Sequence, residues 1–221
     1  ADLLTNAQMA SGPPTLRRGG RRIGMRLWLG AALAGVTVIT AIVFISLGVM
    51  GQSVWAALRL HEAPPGSYSV EVVAQQFQWN FHYAGRDNKF GRTDPQLIDD
   101  SALNFVGLDS SDAASADDAV TASLVNPVNR PVELRLRSKD VIHNFWVPQL
   151  RFKQDLVPGM EIKVHFTANR VGKYELACAE LCGQLHFKMK SYMLVLPEDE
   201  LTALQALPQE QFQARMGELL N

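Results

Sequence analysis

No acidic or basic side chain occurs from Leu27 to Leu58, and this run limits what the chain can become more than any other feature. Its core, LWLGAALAGVTVITAIVFISLGVM (Leu27 to Met50), exceeds the roughly 20 apolar residues with which a helix crosses a bilayer. A signal peptide has an apolar stretch of only about 7–15 residues followed by a small-residue cleavage site, and the run fits neither condition. Gly30, Gly35 and Gly48 are of a type common in membrane helices. The alternative is the buried helix of a soluble protein. Arg17, Arg18, Arg21, Arg22 and Arg26 precede the run, whereas Arg59 and then Glu62 follow it. That bias places the N-terminus in the cytoplasm and the rest of the chain outside. The expected order is a cytoplasmic Arg-rich tail over 1–24, one transmembrane helix over 25–58, and a linker over 59–67. The two prolines of HEAPPG (His61 to Gly66) stop the helix there.

Beyond Tyr68 the character changes to short strands. YSVEVVAQQFQWNFHY (Tyr68 to Tyr83) is rich in valine and aromatics. PVELRLR (Pro131 to Arg137) alternates, with Val132, Leu134 and Leu136 on one side. IKVHF (Ile162 to Phe166) alternates again, and Lys173 to Ala177 and YMLVL (Tyr192 to Leu196) complete the set. Several such strands separated by turns predict an antiparallel sandwich or Greek-key barrel over 68–197. Arg86 to Val120 is a long, Asp-rich insertion with little pattern, of the kind that is functional or mobile. Residues 198–221 read as helix in two pieces broken at Pro208. A formal net charge of -1 offers no basic surface for nucleic acid.

Both cysteines of the chain fall in Cys178-Ala-Glu-Leu-Cys182-Gly-Gln-Leu-His186-Phe-Lys-Met189. Two thiolates, an imidazole and a thioether are the soft donor set that selects copper. A mononuclear blue-copper site needs one thiolate; a second, four positions on, suggests two copper ions sharing both sulfurs and a role in electron transfer. A disulfide is one alternative, since cysteines outside the cytoplasm normally pair, but it leaves His186 and Met189 without a reason. Zinc is another, but zinc sites rarely take methionine and usually show a second paired cluster. A further imidazole must come from His61, His82, His143 or His165. His61 lies in the linker, and His82 and His165 lie within strand patterns. His143 is better placed, at a strand end before the turn at Pro148.

KDVIHNFWVPQLRFKQDLVPGM (Lys139 to Met160) together with YELACAELCGQLHFKM (Tyr174 to Met189) resembles subunit II of haem–copper cytochrome c oxidases. The resemblance extends from Leu27 to Leu196. It implies an all-β, cupredoxin-like Greek-key sandwich carrying a dinuclear CuA centre, preceded by the membrane helix. It implies that Cys178 and Cys182 bridge two coppers, that His143 and His186 each cap one, and that Met189 and the backbone carbonyl of Glu180 are weak ligands. Bridging thiolates would spread one electron over both metals, so that little rearranges on electron transfer. The Glu180 side chain would reach a magnesium ion at the interface with the catalytic subunit, a hard cation that takes oxygen ligands. Asp140 and Asp155 resemble family acids near that interface, or are simple loop charges.

In FQWNF (Phe77 to Phe81), Trp79 matches the tryptophan that receives electrons from cytochrome c, the alternative being a packing role. Phe81 stands where the family usually has a further tryptophan. The aspartates of 86–120 would steer a basic cytochrome c by their field, or form a solvated insertion. Two departures stand out: one membrane helix instead of a hairpin of two, and no carboxylate between Asp2 and Glu62, where many members place a glutamate at a proton-channel mouth.

The implied function is the electron-accepting subunit of a proton-translocating terminal oxidase in a bacterial inner membrane, with its copper domain in the periplasm. Cytochrome c, soluble or tethered, would reduce it. Subunit I would hold the haems and the oxygen chemistry, and subunit III would accompany them. The rivals are the CuA subunit of a nitric oxide reductase and, from a different class, a membrane-anchored copper-delivery module.

Overall fold

The computed structural model describes residues 17–59 and 62–220. His61 and most of the expected tail lie outside the described residues. The chain divides after Ala57 into two compact units. The first is a single helix, α1 (Arg17–Arg59), which begins within the arginine stretch assigned to the tail. Its segment Gly24–Ala57 is long and apolar enough to cross a membrane. Large apolar side chains such as Phe44 and Ile45 lie exposed along it.

The second unit is a sandwich of two five-stranded sheets. The strands are β1 (Tyr68–Gln75), β2 (Gln78–Tyr83), β3 (Ala119–Thr121), β4 (Leu124–Pro127), β5 (Pro131–Ser138), β6 (His143–Val147), β7 (Phe152–Leu156), β8 (Ile162–Thr167), β9 (Gly172–Cys178) and β10 (Lys190–Leu196). One sheet runs β3-β2-β1-β5-β8 and the other β4-β10-β9-β6-β7. The expected alternation holds in β5, where Val132, Leu134 and Leu136 are fully buried. β1 beside it points Val70 and Val72 the same way, in register with Leu134 and Leu136. Phe145, Val147, Leu156 and Leu176 are buried with them in one core. Each such side chain contributes about 1.5–3 kcal/mol on burial.

The sandwich is largely antiparallel as expected, and β1 with β5 and β4 with β10 are parallel pairs within it. Parallel neighbours need a long crossover, and the chain between β1 and β5 supplies one. The stretch from Tyr68 to Tyr83 is two strands, turning at Gln76 and Phe77. The second of them breaks the alternation, because Trp79 to Tyr83 are buried on both faces. The cause is the insertion, which covers the outer face. Its Phe90 packs edge-on to His82 at 5.1 Å, and Phe105 O accepts from Lys139 Nζ at 3.1 Å.

The insertion is built by its own aspartates. Asp87, Asp94, Asp99, Asp109 and Asp112 each accept the backbone N–H two residues on, which is the Asx turn. The C-terminal segment forms α2 (Glu198–Gln205) and α3 (Gln209–Leu220), separated at Pro208 as expected. These helices are packed on the sandwich: Phe212 and Met216 are buried in its core, and the Gln209 side chain pairs with both backbone groups of Val120 in the edge strand β3.

Candidate metal centre

Four chain segments meet at one pole of the sandwich: the β1–β2 turn, the start of β6, the end of β9, and the loop from Ala179 to Met189. The register brings Cys178 opposite Phe145, next but one to His143. The loop is closed on itself, since Cys178 N–H donates to Met189 O at 3.1 Å, His186 N–H to Gly183 O at 3.1 Å and Met189 N–H to His186 O at 3.1 Å. Ala179 N–H donates to Asn144 O at 3.0 Å and ties the loop to β6. The start of β6, the end of β9 and the loop can therefore present donors inward, with the β1–β2 turn packed against the loop.

They do so around one point. The two sulfurs are 3.9 Å apart, and both cysteines are free thiols. His143 Nδ1 lies 3.9 Å from the Cys178 sulfur, and His186 Nδ1 lies 3.5 Å from the Cys182 sulfur. Met189 Sδ is 3.8 Å from Cys182 Sγ, and the Glu180 carbonyl oxygen is 3.2 Å from Cys178 Sγ. His143, Cys178 and Cys182 form a metal-sized group, all three buried. Sulfurs at this separation can ligate a common ion at about 2.3 Å each.

The electrostatics favour a cation between them. Burial resists ionisation of Cys178, but hydrogen bonds from His143 and from neighbouring backbone outweigh it and bring its thiol down to about 6. Burial and the adjacent Cys178 charge push Cys182 up to about 12. Two thiolates this close repel, so a metal ion is what lets both ionise. Asp140 supports one side: its carboxylate meets His143 Nε2 at 2.8 Å, which leaves Nδ1 facing the sulfurs. Burial alone would raise the Asp140 carboxyl, but bonds from Gln76 N–H, His143 and Val141 N–H hold it below the ordinary range. Asp155 accepts from the Asn144 side chain at 2.6 Å, so it braces the strand that carries His143. Neither acid is a simple loop charge.

Other sequence candidates lie elsewhere. His82 is buried, with Nδ1 2.9 Å from Glu71 and Nε2 2.7 Å from Asp118. His165 sits in β8, across from Glu133. The Glu180 side chain is exposed beside the site. Trp79, the expected point of electron entry, is 1% exposed. The β2 alternation turns it into the core, edge-on to His143 at 6.4 Å and to Phe145 at 5.9 Å. The partly exposed ring at this edge is Phe77. Sequence reasoning missed Gln76, whose side chain donates to Cys182 O at 2.5 Å. It also missed Gly183, where an added Cβ would sit 2.7 Å from the Gln76 amide nitrogen.

Residues 68–196 match the family described as cytochrome c oxidase subunit II, periplasmic domain. The alternative cytochrome c oxidase subunit 2 of Bradyrhizobium diazoefficiens is 38% identical over 142 residues, covering 63% of this chain and 50% of that protein. Cytochrome c oxidase subunit 2 of Cereibacter sphaeroides is 27% identical over 180 residues, covering 76% of this chain and 57% of that protein. The chain thus spans about half the length of these curated relatives. Among solved structures, the periplasmic domain of cytochrome oxidase subunit II (CoxB) of Bradyrhizobium japonicum aligns with a TM-score of 0.47 at 22% identity, over 69% of this chain and 98% of that one.

Proposed function

The chain belongs to the family of cytochrome c oxidase subunit II, by its periplasmic domain, and from that premise we propose that it is the subunit that takes electrons into a terminal respiratory oxidase. The observation that carries this reading is the convergence of two sulfurs, two imidazole nitrogens, a thioether and a carbonyl within a few ångströms. Cys178, Cys182, His143 and His186 would hold a copper pair, with Met189 and the Glu180 carbonyl as weaker ligands. Bound there, the pair would supply a one-electron carrier. The chain's own residues keep it dry: Cys182, Met189 and His143 are buried, so the charge is exchanged in a low-dielectric setting. Asp140 fixes the tautomer of His143.

The donor is a cytochrome c, and the acceptor is haem in a separate catalytic subunit where oxygen is reduced; a third subunit completes the assembly. The exposed carboxylate of Glu180 would help to hold magnesium at that contact, a hard cation that takes oxygen ligands. Helix α1 anchors the chain in the bacterial inner membrane, with the arginines on the cytoplasmic side and the copper domain in the periplasm.

The test is purification from membranes with a copper count, an optical and magnetic spectrum, and identification of the co-purifying haem protein. Two coppers per chain in a mixed-valence spectrum and an oxygen-reducing partner are expected. A partner that reduces nitric oxide instead would assign the chain to the other reductase class. Cys182→Ser is expected to abolish the dinuclear spectrum while the chain still inserts; a variant that keeps two coppers and normal electron uptake would refute the ligand assignment.

A further inference from the structure

We propose that Gln76 is a positioning residue that clamps the two ligand-bearing loops of the copper site to each other, an inference that rests on the copper reading above. The residue sits in the tight β1–β2 turn and uses both of its donors. Its backbone N–H donates to Asp140 Oδ2 at 2.7 Å, and the other oxygen of Asp140 meets His143 Nε2 at 2.8 Å. Its side-chain amide donates to the Cys182 carbonyl at 2.5 Å. One turn therefore holds the outer partner of His143 and the backbone of Cys182, which come from different loops.

The second arm matters because the other anchors lie elsewhere. The bonds of Cys178 N–H to Met189 O and of Ala179 N–H to Asn144 O fix the Cys178 end of the loop. Cys182 lies at the tip, and the Gln76 amide ties that tip to the sheet. Gly183 is shaped for the contact. It has φ +136, and a Cβ there would lie 2.7 Å from the Gln76 amide nitrogen and 3.1 Å from the Phe77 ring. The absence of a side chain at 183 is what lets the turn close on the loop. The clamp thus sets how far the Cys182 sulfur can move from the His143 side of the cluster. It should be felt in the copper spectrum and reduction potential as well as in loop mobility.

Gln76→Ala removes the amide and leaves the backbone bond to Asp140. Gln76→Glu keeps the size and loses the donor. The full chain in detergent is compared with both variants by hydrogen exchange in the copper-free state. Backbone exchange in residues 182–186 is expected to speed up about fivefold or more in both variants, the loss of one hydrogen bond, with exchange in the β5 core unchanged. After copper loading, both variants are expected to shift the spectrum and the reduction potential and to release copper faster to a chelator. Unchanged loop exchange, or a wild-type spectrum, potential and release rate in both variants, would overturn the clamp. A wild-type chain that takes up no copper pair overturns the copper reading itself, while the exchange measurement still tests the tie between Gln76 and the loop.

Discussion

At the scale of single residues, the donor cluster proposed to hold copper was legible because four of its side chains lie within one short segment and share a soft donor chemistry. What was not legible are groups whose partner is far along the chain. Gln76 and Cys182 are 106 positions apart, and nothing local marks the contact. Trp79 shows the same limit: its burial depends on strands far along the chain that pack over β2. His82 is a buried titratable group outside the metal site. Burial resists its protonation, but hydrogen bonds to Asp118 and Glu71 outweigh burial and raise its pKa above the ordinary histidine value. Glu71, resisted by burial but bonded to His82 and near Arg137, is held below the ordinary carboxylate range. The histidine contribution to stability is therefore complete below about 6.5 and lost as pH rises through its raised value. The glutamate contribution is present above about 4.3 and fades as pH falls through its lowered value. The two contributions coexist between these limits, so the cluster adds most to stability there. His82→Gln should flatten the alkaline limb of the melting profile; parallel alkaline limbs in variant and wild type would show that the cluster contributes nothing there.

At the scale of elements, strands with one buried face were readable, and those with two were not. β5 kept its alternation because its outer face carries Glu133, Arg135 and Arg137. β2 lost it because the insertion covers the outer face, so both sets of side chains are buried. The insertion itself lacked hydrophobic period, since its order comes from aspartates accepting backbone N–H groups instead of from a packed stripe. Much of its acidic character is thereby used internally; Asp109, for instance, is paired with Arg92. Gly91 and Gly107 both sit where this element closes on itself. Gly107 has φ +69, and an added Cβ would sit 2.1 Å from Asp94 O, the partner across a tight backbone contact. Gly107→Ala should thus pry the insertion open. Proteolysis within 94–108 is expected to accelerate severalfold, with the copper spectrum unaltered, because no proposed ligand lies in this segment. Cleavage at the wild-type rate would mean that the contact does not hold the element. In the C-terminal helices, Phe212→Ala is expected to cost about 3–5 kcal/mol, measured by denaturant unfolding, since the ring is fully buried against Tyr83 at 5.7 Å.

At the scale of the whole molecule, the two units make different demands on their surroundings. Large apolar side chains of the helical unit stay exposed, which in water would be an aggregating surface. The sandwich buries its own core, and the residues proposed to hold copper all belong to it. Its core includes Leu201, Leu204, Phe212 and Met216 of the C-terminal helices. A chain beginning at Glu62 should therefore be soluble without detergent, melt cooperatively and take up two coppers with the spectrum of the full-length protein. Copper should also stabilise it, since a metal that binds the folded form adds its binding free energy to folding. Removal by a chelator is expected to lower the melting temperature, and acidification should release the metal as the cysteines and histidines take up protons. The full-length chain should need detergent under the same conditions. If the shortened chain aggregates or melts without cooperativity even when loaded with copper, the sandwich draws part of its stability from the helical unit, and the separation into an anchor and a self-sufficient copper domain fails.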